Sequence, residues 1–129
     1  MNKTDAKRWL DYAEKDLKAA RALQRSKEFF PRQVCFLAQQ AAEKSIKTIL
    51  VFLEIDFPKT HDLDRLRDLI PNGWKFKELF PDLAELTIWS VESRYPGDAP
   101  DVVEWEAQEI LHLAESVFDA IKMELNEHI

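Results

Sequence analysis

The feature that most constrains this chain is the spacing of its apolar residues, which recur every three or four positions over long stretches. Side chains at that spacing share one face of an α-helix, whereas a half-buried strand alternates with a period of two. The clearest stripe lies near the end of the chain and comprises Val103, Ala107, Ile110, Leu111, Ala114, Val117, Phe118, Ile121 and Leu125. The chain also has only two glycines, which disfavours a β-sandwich with many tight turns. The pattern therefore predicts an all-α fold.

Breaks in this periodicity divide the chain into helices and connections. Long helices are predicted at about residues 5–25, 32–54, 81–91 and 101–126, and a short helix at about residues 62–70. The second long helix is apolar over more than half its circumference, which is typical of a central helix. The segment 74–80 is ambiguous. We expect residues 1–129 to form one domain, an up-and-down antiparallel bundle of four long helices plus one short helix.

Charge and cysteine content limit the classes of protein to which this chain can belong. The net charge is −6, and residues 1–47 hold 11 Lys/Arg against 6 Asp/Glu, whereas residues 48–129 hold 7 against 18. A bulk nucleic-acid binder is normally basic overall, so this chain can offer only a local basic surface from its first half. No apolar stretch approaches the roughly 18 residues of a membrane span. The single cysteine, Cys35, favours a reduced thiol in a cytoplasmic protein.

Motifs of the common catalytic classes are absent from the sequence. His61, His112 and His128 lie far apart along the chain, with no Cys-x-x-Cys or His-Glu-x-x-His pattern. Two glycines cannot build a glycine-rich phosphate loop, and no Gly-x-Ser-x-Gly motif occurs. We therefore expect neither a metal site nor a cofactor.

Three polar clusters interrupt the apolar stripes. They are AQQAAEKSIK at residues 38–47, FPKTHDL at residues 57–63 and ESRYPGD at residues 92–98. In this order and at these separations, the clusters resemble those of small stand-alone proteins of the prokaryotic HEPN family, named for nucleotide binding in higher eukaryotes and prokaryotes. The opening segment WLDYAEKDL at residues 9–17 fits the start of the same family, so the resemblance covers essentially the whole chain.

The resemblance implies a helical bundle that often forms a homodimer. It also implies a minimal nucleotidyltransferase as partner, frequently in a toxin–antitoxin pair. Many family members are metal-independent RNases with an Arg-x(4–6)-His motif, in which histidine moves a proton at the ribose 2′-hydroxyl and arginine holds the phosphate charge. No histidine of this chain has an arginine at the required distance before it.

The candidate site comes from the three polar clusters. Its ligand-binding candidates are Gln40, Lys44, Lys47, His61, Arg94 and Tyr95, of which His61 and Arg94 are also the candidates for catalysis. Lys44 and Lys47 lie one helical turn apart and could cradle a phosphate, or they could pair with Gln40 and Glu43 and only solvate the helix. His61 could instead cap or pack, Arg94 could form a salt bridge with Asp98, and Tyr95 could belong to the core.

Three functions are compatible with the sequence. The first is a HEPN-like module that binds a nucleotide-type ligand, a minimal nucleotidyltransferase, or both, with RNA as a further possible ligand. The second is a metal-independent RNase of variant design. The third is a structural helical dimerisation module. No interaction with a membrane is expected.

Overall fold

The protein, seen here in a computed structural model that describes residues 1–26, 28, 30–90 and 102–129, is all helical over those residues. Its helices in chain order are α1 (Lys3–Gln24), α2 (Pro31–Phe52), α3 (Leu63–Asp68), α4 (Lys75–Leu79), α5 (Ala84–Thr87) and α6 (Glu104–His128). The predicted all-α class is confirmed. The lengths differ from the expectation, because the described part of the chain holds three long helices and three short ones.

The expected long helix at residues 81–91 is the largest difference. Among residues 81–90, the part of this range that the structure describes, only Ala84–Thr87 is α-helical. Beyond that turn, the backbone N–H groups of Trp89 and Ser90 bond three residues back, to the carbonyls of Leu86 and Thr87. Such tighter bonds form a 3₁₀-type turn, which does not extend an α-helix. The ambiguous segment at residues 74–80 contains α4.

The three long helices pack together around one core. The N–H of Asn2, before α1, donates to the carbonyl of Phe52 at the end of α2 over 3.0 Å, so α1 and α2 are antiparallel. Phe52 also lies 6.5 Å from His128 at the end of α6, measured between ring centroids. Helices α2 and α6 therefore run in the same direction, and the short helices return the chain between them. The predicted antiparallel packing thus holds for α1 against its two neighbours.

Helix α2 is central, as its wide apolar surface predicts. Its buried small residues include Ala38, Ala41, Ala42 and Ser45, and α1 faces it with buried Ala13 and Ala20. Small side chains allow the two helix backbones to approach closely. None of the helices in the described ranges is long and apolar enough to cross a membrane.

The end of α2 directs the following loop back towards the helix. Glu54 has a left-handed backbone with φ of 57°, and the N–H of Ile55 donates to the carbonyl of Leu50 over 2.9 Å. This is the hydrogen bond of a Schellman C-cap, in which glycine is the usual left-handed residue. The loop ends at Asp62, whose carboxylate caps α3 by accepting from the N–H groups of Asp64 and Arg65. This path brings His61 beside α2.

Candidate functional site

One row of polar side chains runs along the buried surface of α2. Gln39, Glu43 and Lys47 are spaced four residues apart, which places them on successive turns of one helix face. The amide of Gln39 donates to Oε1 of Glu43 over 3.1 Å, and Nζ of Lys47 donates to Oε2 over 3.0 Å. The side chain of Glu43 is only 6% exposed and that of Lys47 only 13%. The carboxylate therefore organises this face from within the protein.

His61 joins the same carboxylate from the loop before α3. Its Nδ1 lies 2.7 Å from Oε1 of Glu43, and its side chain is 33% exposed. We refer to Gln39, Glu43, Lys47 and His61 together as the Glu43 site. The site thus joins residues from two of the three polar clusters of the sequence, and it reaches solvent mainly on the side of His61.

The ionisation of Glu43 decides the direction of these hydrogen bonds. Burial by itself raises the pKa of this carboxyl, but the hydrogen bonds from His61, Lys47 and Gln39 and the charge of Lys47 outweigh it, so the pKa lies below its usual 4.5. At neutral pH the carboxylate is ionised and can only accept. We infer that Nδ1 of His61 carries a proton, which makes Nε2 the acceptor nitrogen whenever the ring is neutral.

Aromatic rings surround the ammonium group of Lys47. Its Nζ lies 5.8 Å from the ring centroid of Trp9 on α1 and 5.3 Å from that of Phe57 in the loop. The two rings meet edge to face, with centroids 6.3 Å apart. Cations are attracted to aromatic faces at such distances. The site therefore has an apolar wall that holds the Lys47 charge in place.

The other two predicted residues of α2 lie beside the Glu43 site. Nζ of Lys44 contacts the carboxylate of Asp16 on α1 over 2.6 Å, so its ion pair is with Asp16 and not with Gln40, the partner that the sequence offers as one alternative. The amide of Gln40 donates to Oε1 of Gln39 over 2.8 Å, which links it to Glu43 indirectly. Lys44 and Lys47 therefore pair with different carboxylates, although both lie on the same side of α2.

Two predicted residues cannot be placed. Arg94 and Tyr95 belong to the third polar cluster and lie outside the described residues. Within the described ranges, no group of three or more histidine, cysteine, aspartate or glutamate residues is arranged to hold a metal ion. Cys35 is buried on α2.

Four residues of this region were not among the sequence candidates, namely Gln39, Glu43, Trp9 and Phe57. Glu43 could have been chosen, because it lies four residues from both Gln39 and Lys47 on a helix with a broad apolar surface. Trp9 and Phe57 gave no comparable signal, since an aromatic residue in an apolar stripe usually belongs to the core. Only the path of the chain brings them to Lys47.

Comparison with known proteins gives a consistent picture. The HEPN domain model matches residues 6–124. TT1696 from Thermus thermophilus is similar in structure, with a TM-score of 0.74 and 23% identity over 92% of this chain and 97% of that one. ST0689, an archaeal HEPN homologue, has a TM-score of 0.64 and 26% identity over 91% of this chain and 94% of that one. A search of curated proteins finds no significant match.

Proposed function

Because the chain belongs to the HEPN domain family, we propose that it binds a nucleotide-type ligand, with the phosphate at the Glu43 site. The observation that carries this proposal is the convergence of Lys47 and His61, from separate elements, on the single carboxylate of Glu43. Two proton-bearing side chains held in this way are oriented in advance, so binding need not order them.

The charges of the site favour an anion when His61 is protonated. Among the described residues of the site, Lys47 and protonated His61 then carry two positive charges against the one negative charge of Glu43. Lys44 adds a cation nearby that is balanced by Asp16. Gln40 offers an amide, and the sequence adds Arg94 and Tyr95 as further ligand-binding candidates. Such charge-assisted contacts typically contribute about 1.5–3 kcal/mol each.

Calorimetric titration with adenosine triphosphate tests the proposal. We expect affinity to fall roughly ten- to a hundred-fold in Lys47→Met, His61→Gln and Arg94→Ala, because each loses a charge-assisted contact. Methionine keeps the aliphatic stem against Trp9 and Phe57, and glutamine can still donate to Glu43. Lys18→Met removes an exposed lysine of α1 as a matched control and should change nothing. Unchanged affinity in folded Lys47→Met and His61→Gln would exclude this site.

We further propose that the physiological setting includes a minimal nucleotidyltransferase, as in the toxin–antitoxin pairs of the family. An adjacent nucleotidyltransferase gene and its co-purification with the tagged protein would support this partner. Failure of the two proteins to co-purify after co-expression would count against it.

Self-association in the cytoplasm as a homodimer is part of the same proposal. Ile88 and Trp105 are exposed large apolar residues that line one cavity at the start of α6. An exposed apolar patch is a common contact surface between copies of a chain. Sedimentation should give a dimer that Trp105→Ser weakens, and a monomer at tens of micromolar would argue against it. If no nucleotide binds, a dimer would leave the structural dimerisation module as the function.

A second candidate function, a metal-independent RNase of variant design, is favoured by the contact between Glu43 and His61. The carboxylate places the proton of neutral His61 on Nδ1, so that Nε2 is the nitrogen able to accept a proton from a ribose 2′-hydroxyl. Arg94 would stabilise the phosphate charge. Cleavage of a labelled RNA should then persist in chelator and disappear in His61→Ala. An RNA with 2′-deoxyribose at the cleavage position should resist, and its cleavage would contradict this mechanism.

A further inference from the structure

A groove lies along α1 next to the Glu43 site. Its volume is about 350 Å³, and its lining consists of Asp5, Arg8, Trp9, Tyr12 and Lys44. The first four of these residues lie on successive turns of one face of α1, while Lys44 comes from α2. Tyr12 is 55% exposed, so the groove offers an aromatic ring to solvent.

Cations surround this exposed ring. Nζ of Lys15 lies 5.6 Å from the centroid of Tyr12, and Arg8 and Lys44 line the groove itself. Their nearby acidic partners are Asp5, 4.0 Å from Arg8, and Asp16, 2.6 Å from Lys44. Two of these three cations thus have a carboxylate partner, and Lys15 lies over the ring itself. An accessible aromatic ring among cations suits a base that stacks while its phosphate is held electrostatically.

Trp9 lies between the groove and the Glu43 site and contacts both. It lines the groove, packs edge to face with Phe57 and lies 5.8 Å from Nζ of Lys47. Lys44 in the groove is one helical turn before Lys47 in the site. A ligand that reaches Lys47 with one end can therefore extend along Trp9 towards Tyr12.

We propose that this groove is the base subsite of a nucleoside phosphate, with the base stacked on Tyr12 and the phosphate towards Lys44 and Lys47. The inference rests on the proposed function and adds the surface that contacts the base. The ligand is either a free mononucleotide or one residue of single-stranded RNA, since both present a base, a ribose and a phosphate.

Two probes that differ only by the base test the subsite. Wild type, Tyr12→Ala and Tyr12→Phe are titrated with adenosine 5′-monophosphate and with ribose 5-phosphate. Loss of the stacking ring should lower the affinity for the nucleotide by about tenfold and leave the affinity for ribose 5-phosphate unchanged. Tyr12→Phe should bind both probes like wild type. Met123→Ala truncates another exposed apolar side chain, on α6, and is the control that should alter neither affinity.

Each other outcome overturns a defined part of the inference. If wild type binds both probes and Tyr12→Ala changes neither, the base subsite is wrong while the phosphate site stands. Equal weakening of both probes means that the groove holds the phosphate, which also excludes stacking on Tyr12. If wild type binds neither probe, the proposed function fails and the subsite fails with it.

A titration with RNA distinguishes a free nucleotide from an RNA strand as the ligand. A single-stranded adenosine tetranucleotide that binds at least ten times more tightly than the mononucleotide, and that depends on Tyr12, identifies an RNA strand as the ligand. Equal affinity for the two identifies a free nucleotide. Weaker binding of the tetranucleotide than of the mononucleotide excludes the strand.

Discussion

Two buried glutamates, Glu43 and Glu124, use their carboxylates in different ways. As whole residues they are 4% and 5% exposed, and both are helix residues in the core of the bundle. Glu124 of α6 accepts the backbone N–H groups of Lys75 and Phe76, the second over 2.9 Å. Those amides open α4, so the carboxylate caps that helix from a distant part of the chain. Glu43 instead accepts from three side chains.

The difference separates a structural carboxylate from a candidate functional one. Backbone amides cannot leave or change charge, so Glu124 can only fix α4 against α6. The partners of Glu43 include a lysine and a histidine that can rotate, exchange protons and contact a ligand instead. Burial alone would not have distinguished the two residues, whereas the identity of the donors does.

Replacing Glu43 should give the largest loss of stability. In Glu43→Gln the mostly buried ammonium of Lys47 loses its counter-charge, and losing one partner of such a pair costs about 3 kcal/mol in free energy of unfolding. Urea denaturation measures this loss. The matched control is Glu43→Gln/Lys47→Met, which should recover part of it because no charge is left unpaired. A double variant less stable than Glu43→Gln would contradict this explanation.

Acidification should remove the advantage that wild type has over Glu43→Gln. The folded pKa of Glu43 lies below its unfolded value of about 4.5, so the stability from its ionised form is fully present above that value. That stability is lost as pH falls through the folded pKa. We expect the difference in unfolding free energy between the two proteins to shrink as the pH falls below about 4.5. A difference that grows in acid would reverse the sign of the proposed linkage.

Replacing Glu124 should cost less and leave ligand binding intact. Glutamine keeps one acceptor for the two amides of α4, so we expect a loss of about 2 kcal/mol in free energy of unfolding. Affinity for adenosine triphosphate should remain that of wild type, because the two amides belong to α4, which supplies no residue to the Glu43 site. An affinity change in folded Glu124→Gln would remove the distinction between the two glutamates.

The sequence predicts the long helices well because their periodic signal extends over many turns. The expected ranges 5–25, 32–54 and 101–126 agree within three residues with Lys3–Gln24, Pro31–Phe52 and Glu104–His128. The short helices depend on local bonds such as the 3₁₀-type turn after Thr87 and the distant cap from Glu124. A short stretch of periodicity cannot reveal such bonds.

The same contrast applies to the candidate site. Spacing along α2 is sufficient to place Gln39, Glu43 and Lys47 in one row. The contact of His61 with Glu43 depends on the loop that follows the left-handed turn at Glu54, and this path has no periodic signal. The partner of Lys44 is Asp16, on a different helix, so only the packing of α1 on α2 identifies it.

The smallest effect on stability is expected at the ion pair between Asp16 and Lys44, which is more exposed than either buried glutamate. Its side chains are 19% and 29% exposed, so Asp16→Asn should cost about 1 kcal/mol or less. The substitution removes a negative charge beside Lys44 and should raise affinity for adenosine triphosphate about two- to threefold. The control is Glu109→Gln on α6, which changes the net charge by the same amount. Titration of both variants separates the local effect beside Lys44 from the effect of net charge. A phosphate could then replace the carboxylate of Asp16 beside Lys44. Glu43 differs, because it orients the site from inside the protein. Equal gains in both variants, or a loss in Asp16→Asn, would exclude Lys44 from the phosphate-binding surface.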